Sequence, residues 1–328
     1  MKQLIAISVL SLLTLATYAQ KDTLWKKSGF IGLNFNQSSF VNWAQGGQSN
    51  ISGIAIFNYK FDYKKDKIEW KNELNMAYGT IKNFDFGSTN QIDNFWRKNE
   101  DRLLFESRYT KLAAGKWQYA SIFTFYTQFD KGYLPPDFES QNFKSDFLAP
   151  AFATISLGMK YKPTSYFDVY FSPASGKFTY VRVQSLADQG LFGVKKADLD
   201  PVTNLPIAGT GSNFRPEFGA SMILNFNKKE LIKNVDVSSN LTLFNNYTDS
   251  RKENRKNIDV MWNWNILMKV SKYITTSIIG QMVYDDDILV PRKTEAFKDA
   301  NGIVSYKTTS GKGIQLKNIL GVGFSYKF

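Results

Sequence analysis

The sequence predicts an all-β chain that closes into a transmembrane antiparallel β-barrel of about twelve strands, with long extracellular loops and short periplasmic turns. Three observations carry that prediction. The last stretch, Ile314 to Phe328, alternates with a period of two. Ile314, Leu316, Leu320, Val322, Phe324, Tyr326 and Phe328 fall in one row, and Gln315, Lys317, Gly321, Gly323, Ser325 and Lys327 in the other, with Asn318 and Ile319 as the exceptions. Such a period sets the two rows on opposite faces of a strand. Second, aromatic residues make up 16% of the chain, yet mean hydropathy is only −0.31. Both hold if apolar and polar positions alternate on a sheet with a greasy outside and a wet inside. Third, the spacers between candidate strands are alternately long and short, a sorting that a soluble sandwich has no reason to show.

The chain begins with MKQLIAISVLSLLTLATYA, residues 1–19: one Lys, an apolar run and a small-x-small ending at Thr17-Tyr18-Ala19. This is the anatomy of a secretory signal peptide, cut between Ala19 and Gln20. A membrane anchor is the other reading, but the run is short and polar residues follow at once. Residues 20–27 read as a periplasmic lead-in with Trp25 as an interfacial aromatic, and 28–328 as one outer-membrane barrel.

The expected strands follow in order. The first runs from Gly29 to Gln37. The second, Asn50 to Tyr63, sends Ile51, Phe57, Tyr59, Phe61 and Tyr63 outward, and a charged turn at Lys64–Lys67 leads to the third, Ile68 to Ile81. Strands at Arg102–Leu112 and Trp117–Phe129 flank a tight turn containing Gly115. Ala151–Tyr161 and Tyr166–Ser172 flank another, and Pro173 opens the longest loop, 173–212, because proline cannot donate to a ladder. Phe214–Phe226, Val235–Asn245, Ile258–Val270 and Ile274–Tyr284 follow, then a long loop 286–312 and the closing strand. Aromatics gather near the short-turn ends, at Tyr59, Phe61, Tyr63, Trp117, Tyr119 and Phe226, as an interfacial girdle. Phe328 ends the chain as a terminal aromatic, the kind of signal that barrel-insertion machinery recognises.

Composition narrows the function. The chain has no Cys, so no disulfide framework supports it despite export. It has no His either, which removes the Ser-His-Asp triad, the Cys-His pair and histidine zinc sites together. No catalytic set, cofactor or metal is expected, and the chain does not read as an enzyme. The formal charge of +12 suits anionic outer-membrane lipid and lipopolysaccharide phosphates, and export makes nucleic acid an improbable partner.

The inward rows carry Lys60, Lys71, Arg102, Arg108, Lys160, Arg215 and Lys269 against Asp62, Glu69, Glu73, Glu106, Asp168, Glu217, Asp236 and Asp259. The signs nearly balance. A pore selective for one sign lines itself with one sign, so a balanced lumen reads as a packed structural interior, or as a narrow channel for a small solute. Ile54, Ile56, Ile122 and Ile223 are apolar positions on the same face. Asp285-Asp286-Asp287 reads either as a hard-oxygen Ca²⁺ ligand set or as a solvated strand end. Asn42-Trp43 with Gly46-Gly47 reads as a loop that plugs the mouth or contacts a partner, or as an interface anchor.

The segment Leu33–Tyr59 followed by Ile68–Lys82 resembles a Bacteroidota outer-membrane barrel family catalogued as a domain of unknown function, number three thousand and seventy-eight. The residues that carry the resemblance are Gln37, Asn42-Trp43, Gly46-Gly47, Trp70, Asn72 and Tyr78-Gly79, with Ser172-Pro173 and Phe178-Thr179 further on. The resemblance implies residence in the outer membrane and a single barrel; it implies no established activity and supplies no catalytic residue. Two functions remain open from the sequence. One is a structural or accessory subunit of a larger outer-membrane assembly or secretion machine, with other outer-membrane proteins or lipoproteins as partners. The other is a passive channel for a small solute.

Overall fold

The computed structural model describes residues 24–38, 49–84, 96–133, 143–249, 251–271, 274–286, 289–298 and 304–327. The expected signal peptide at 1–19, the loop residues Asn42, Trp43, Gly46 and Gly47, and Asp287 and Phe328 lie outside the described residues.

The strands are β1 (Trp25–Ser38), β2 (Ser49–Lys65), β3 (Ile68–Phe84), β4 (Trp96–Ala114), β5 (Trp117–Thr127), β6 (Ala151–Tyr161), β7 (Phe167–Tyr180), β8 (Phe214–Ile232), β9 (Val235–Asn246), β10 (Asp259–Lys269), β11 (Ile274–Tyr284), β12 (Leu289–Lys298), β13 (Val304–Lys312) and β14 (Gln315–Lys327). All but β12 and β13 form one closed barrel in which each strand pairs antiparallel with its neighbours. Closure is made by β1, where Leu33 faces Ala55 of β2 on one side and Phe324 of β14 on the other. The twelve-stranded antiparallel barrel expected from the alternation is the fold observed. No strand of the barrel is left with a free edge, the condition a sheet must meet in hydrocarbon.

Connections sort by end. Those at 66–67, 115–116, 162–166, 233–234 and 270–273 lie at one end, and 39–48, 85–95, 128–150, 181–213, 247–258 and 285–314 at the other. The tight turns need left-handed backbone, which Gly115 (φ 56°) and Asn234 (φ 65°) adopt at least cost.

The faces follow the sequence parity. Leu316, Leu320 and Val322 of β14 are 62%, 70% and 56% exposed on the outer wall, while Ser52, Thr110, Ser156 and Thr179 are buried on the inner one. Large polar-tipped side chains on the outside are satisfied locally. Trp70 Nε1 donates to Ser107 Oγ at 2.8 Å, and Trp262 Nε1 to Ser239 Oγ at 2.9 Å, each on the adjoining strand. Asn72, also in the outward row, is buried and donates to the Phe61 carbonyl at 3.2 Å. The aromatic girdle is present at the short-turn end: Trp25 packs on Phe61, Tyr63 and Trp70, Trp117 on Tyr161, and Tyr166 on Phe226.

Several elements depart from the sequence reading. β1 already begins at Trp25, inside the expected lead-in 20–27, because Trp25 to Ser28 pair with Tyr63 to Lys60 of β2, and β4 begins at Trp96, not Arg102, because it pairs with the long β3. β7 does not stop at Ser172 but runs through Pro173 to Tyr180. The missing proline N–H is absorbed by a bulge, with register shifts against both β6 and β8. There the Ser172 hydroxyl donates to the Leu157 carbonyl at 2.7 Å, replacing a ladder bond. A Cβ at Gly158, opposite the bulge, would collide with the Phe171 carbonyl, so only glycine fits. β8 likewise continues past Phe226 to Ile232, because its charged tip projects beyond the apolar belt, where the Glu230 N–H meets Asp236 Oδ1 at 2.9 Å. Finally, the long loop 286–312 holds the β12–β13 hairpin.

Candidate functional site

The interior of the barrel gathers the charged residues that the alternation sends inward, and its two halves differ. In the half near the short turns, pairs form along the wall. Lys60 Nζ lies 3.1 Å from Glu73 Oε2, Asn58 Nδ2 donates to Glu73 at 2.6 Å, and Glu69 is held by Lys64 (3.2 Å) and Lys71 (3.6 Å). Arg108 pairs with Glu106 at 2.7 Å, and Lys269 with Asp236 at 2.9 Å. Asn225 donates to Asp168, and Asn240 to Asn225, so β7, β8 and β9 share one polar chain. Several of these side chains stay wet: Lys71 is 49% and Lys60 39% exposed. Pairs this solvated add little stability. They neutralise the wall without closing it.

At the level of Arg108, on the same wall, sits an apolar cluster in which Ala120 and Ile122 of β5, Tyr170 of β7 and Ile223 of β8 pack together. The Tyr170 hydroxyl donates to Ser156 Oγ at 3.0 Å, so this fully buried ring leaves no polar tip unpaired.

In the half near the long loops, ion pairs cross the lumen. Lys317 of β14 reaches Glu100 of β4 at 3.0 Å, passing over β1, β2 and β3. Lys177 of β7 is the second crossing point. Its ammonium lies 3.0 Å from Asp259 of β10, 3.2 Å from Asp285 after β11 and 3.7 Å from Glu217 of β8, and above the Phe244 ring. Arg215 pairs with Glu217 at 3.0 Å, and Asn246 donates to the same carboxylate. Lys177 and Glu217 are nearly sealed from solvent, at 16% and 2% side-chain exposure. These are struts, and they tie β7 to β10 and β4 to β14.

The sequence missed the struts for identifiable reasons. The sequence ends β7 at Ser172, before the proline, which puts Lys177 in a loop. Glu100 lies just before the expected start of its strand at Arg102. The signal that could have found Lys177 is a second run of alternation past the proline, where Ser175, Lys177 and Thr179 form an inward row one position out of phase with Asp168, Tyr170 and Ser172. The acidic run at Asp285 is neither a solvated strand end nor a free ligand set in the residues described. Asp285 and Asp286 are buried, the first against Lys177 and the second against Lys312 of β13, Tyr284 and Asn257. The Lys312 ammonium holds the Asp286 carboxyl below the usual carboxylate range.

At the long-loop rim, 143–150 and 181–213 fold together around Ala149, Val181, Leu186, Ala187 and Val194. Arg182 secures the two segments through Asp146 (2.8 Å) and the Phe147 carbonyl (2.9 Å). A short helix α1 (Gln184–Asp188) presents Asp188 to the Gly209 and Gly211 N–H groups, each at 2.9 Å. The Gly209 N–H and the Gln184 amide hold the Asp188 carboxyl below its ordinary value. A lowered folded-state value means that this contribution is fully present above the ordinary carboxylate pKa of about 3.9 and is lost as pH falls through the folded value. Asp188→Ala is therefore expected to lower the hydrogen-exchange protection factors of the Gly209 and Gly211 amides at neutral pH, and acidification of the wild type to lower them too, once the slower intrinsic exchange in acid is divided out. Unchanged protection in the variant would show that the loop is held without Asp188.

With the geometry in hand, the comparisons can be placed. Residues 35–133 match the sequence model of a family described as "Protein of unknown function (DUF3078)". That is the family the N-terminal motifs resemble. The matched segment spans β2 to β5 and includes Trp70, Asn72, Tyr78 and Gly79. No curated protein matches the chain. Among solved structures, it is similar to an outer membrane channel from Pseudomonas putida F1, with 8% identity, 93% of this chain and 95% of that one covered, and a TM-score of 0.37. It is also similar to the translocator domain of the autotransporter NalP from Neisseria meningitidis, at 8% identity, 99% and 95% coverage and a TM-score of 0.34. The outer membrane channel DcaP of Acinetobacter baumannii gives 8% identity, 93% and 97% coverage and a TM-score of 0.30. Likeness at this level carries no functional inference; the barrel stands on this chain's own strand closure.

Proposed function

We propose that the protein resides in the bacterial outer membrane, short turns towards the periplasm, as a structural or accessory subunit of a larger protein assembly or secretion machine. The observation that carries this reading is the tip of the rim platform. Val202, Leu205, Leu199 and Ile207 are 89%, 65%, 49% and 42% exposed on a loop whose base is fixed by a packed core. The Leu199–Pro206 bridge closes the tip, and Asp200 caps its turn by accepting from the Val202 and Thr203 N–H groups. An ordered segment that offers clustered apolar side chains to water is the mark of a protein-binding surface. The struts across the upper lumen agree with it, since they stiffen the barrel at the level where the platform stands. This role needs no catalytic step and no cofactor.

Gentle isolation of the tagged protein from native outer membranes, followed by mass analysis, tests the reading. A stoichiometric partner is expected, and Val202→Asp with Leu205→Asp is expected to release it while the barrel still assembles. Recovery of the barrel alone would overturn the accessory role. One observation favours the alternative of a small-solute channel: Lys60 and Lys71 of the lower lumen are 39% and 49% exposed.

A further inference from the structure

We infer that the outer wall of the barrel carries a seat for one phospholipid of the periplasmic leaflet. The inference rests on the membrane orientation proposed above. Between β5, β6 and β7 the wall is indented by a groove of about 760 Å³, walled by Trp117, Tyr119, Leu157 and Phe171 and floored by Ala120 and Gly158. That volume falls within the roughly 300–1,000 Å³ of small-molecule sites. The groove has a structural origin. The bulge at Ser172–Pro173 steps β7 out of register with β6, and Gly158 lets the Phe171 carbonyl approach β6 closely at that step.

Its position names the occupant. The groove starts at Trp117, beside the turn at 115–116, and extends along β5 to Ser121, about 14 Å at strand rise. The wall side chains are exposed, between 48% and 60%, and stand in the outward row, so hydrocarbon is their solvent in a bilayer. The mouth at the short-turn end is basic. Lys111, in register with Tyr119, and Lys116, next to Trp117, are both exposed there. A lipid with its tail in the groove thus brings its phosphate to two ammonium groups at the girdle, where charge-assisted hydrogen bonds form readily. Neither a bare alkyl chain nor a soluble anion uses both halves of this site.

Native mass spectrometry of the folded barrel in neutral detergent, with phosphatidylglycerol as the probe, tests the inference. The wild type is expected to keep one phospholipid when detergent is stripped away. Ser121→Trp, which fills the floor, is expected to reduce retention about tenfold or more, and Lys111→Gln with Lys116→Gln about tenfold. Equal retention in wild type and Ser121→Trp would overturn the seat. Equal retention in wild type and the double lysine variant would overturn its headgroup half. If Ser121→Trp does not fold, Leu157→Ala, which removes one wall, must lower retention instead. A wild type whose gel mobility is unchanged by boiling would defeat the barrel reading itself; a heat-modifiable barrel without lipid defeats only the seat.

Discussion

Leu320→Arg is expected to block assembly of the barrel, the largest effect of any single outward substitution on β14. Leu320 is 70% exposed in the middle of the closing strand and pairs with Ile278 of β11. Arginine on the lipid face at mid-membrane costs roughly 2–4 kcal/mol, falling towards zero near the interfaces. The cost lands on the strand that closes the sheet through β1, so misplacing it leaves two edges unpaired in hydrocarbon. The heat-modifiable form on gels should fall sharply, whereas Lys317→Arg, three residues away on the inner face, should assemble normally. Normal levels of folded Leu320→Arg would show that the inward and outward rows of β14 have been exchanged.

The second large effect is expected at Lys177. Lys177→Met keeps most of the side chain's apolar length and removes the charge that Asp259, Asp285 and Glu217 share. Breaking a buried ion pair from one side costs about 3–5 kcal/mol, because the partners remain buried and uncompensated. A matching loss should appear in the denaturant midpoint of the folded barrel, with little loss in Lys177→Arg. Adding Asp259→Asn and Asp285→Asn to Lys177→Met should recover part of it, as neighbours in one network do not add. The same change at Lys317, which is 41% exposed, should cost much less. A Lys177→Met barrel as stable as wild type would mean that the cluster is hydrated in place and braces nothing.

These two residues also show what the sequence disclosed and what it withheld. The face of Leu320 was legible because period two is a local property: eight or more residues of alternation determine which row points outward, whatever the neighbours do. The same logic placed Arg108, Glu106, Lys71, Glu73, Arg215 and Glu217 on inner-row positions. Loop lengths gave the two ends of the barrel. What parity cannot give is partnership. Glu100 and Lys317 stand 217 positions apart and meet only because closure sets β4 and β14 around one lumen, with β1, β2 and β3 between them. Lys177 was hidden differently, behind a proline that ordinarily ends a strand and here sits in a bulge repaired by the Ser172 hydroxyl. The rim platform was hidden as well, because its core residues are dispersed over two loops with no periodicity between them. The loop motif at Asn42-Trp43 and the terminal Phe328 lie outside the described residues.

The proposed supporting role requires that the upper lumen, crossed by the Lys317–Glu100 pair and the Lys177 cluster, pass no solutes. Ion conductance of the purified protein in a planar bilayer tests it most directly. No steady open level is expected for the wild type, and a steady level is expected once Glu100→Gln and Lys317→Gln together remove one strut. A stable wild-type conductance that the double substitution leaves unchanged would contradict it and make the protein a channel.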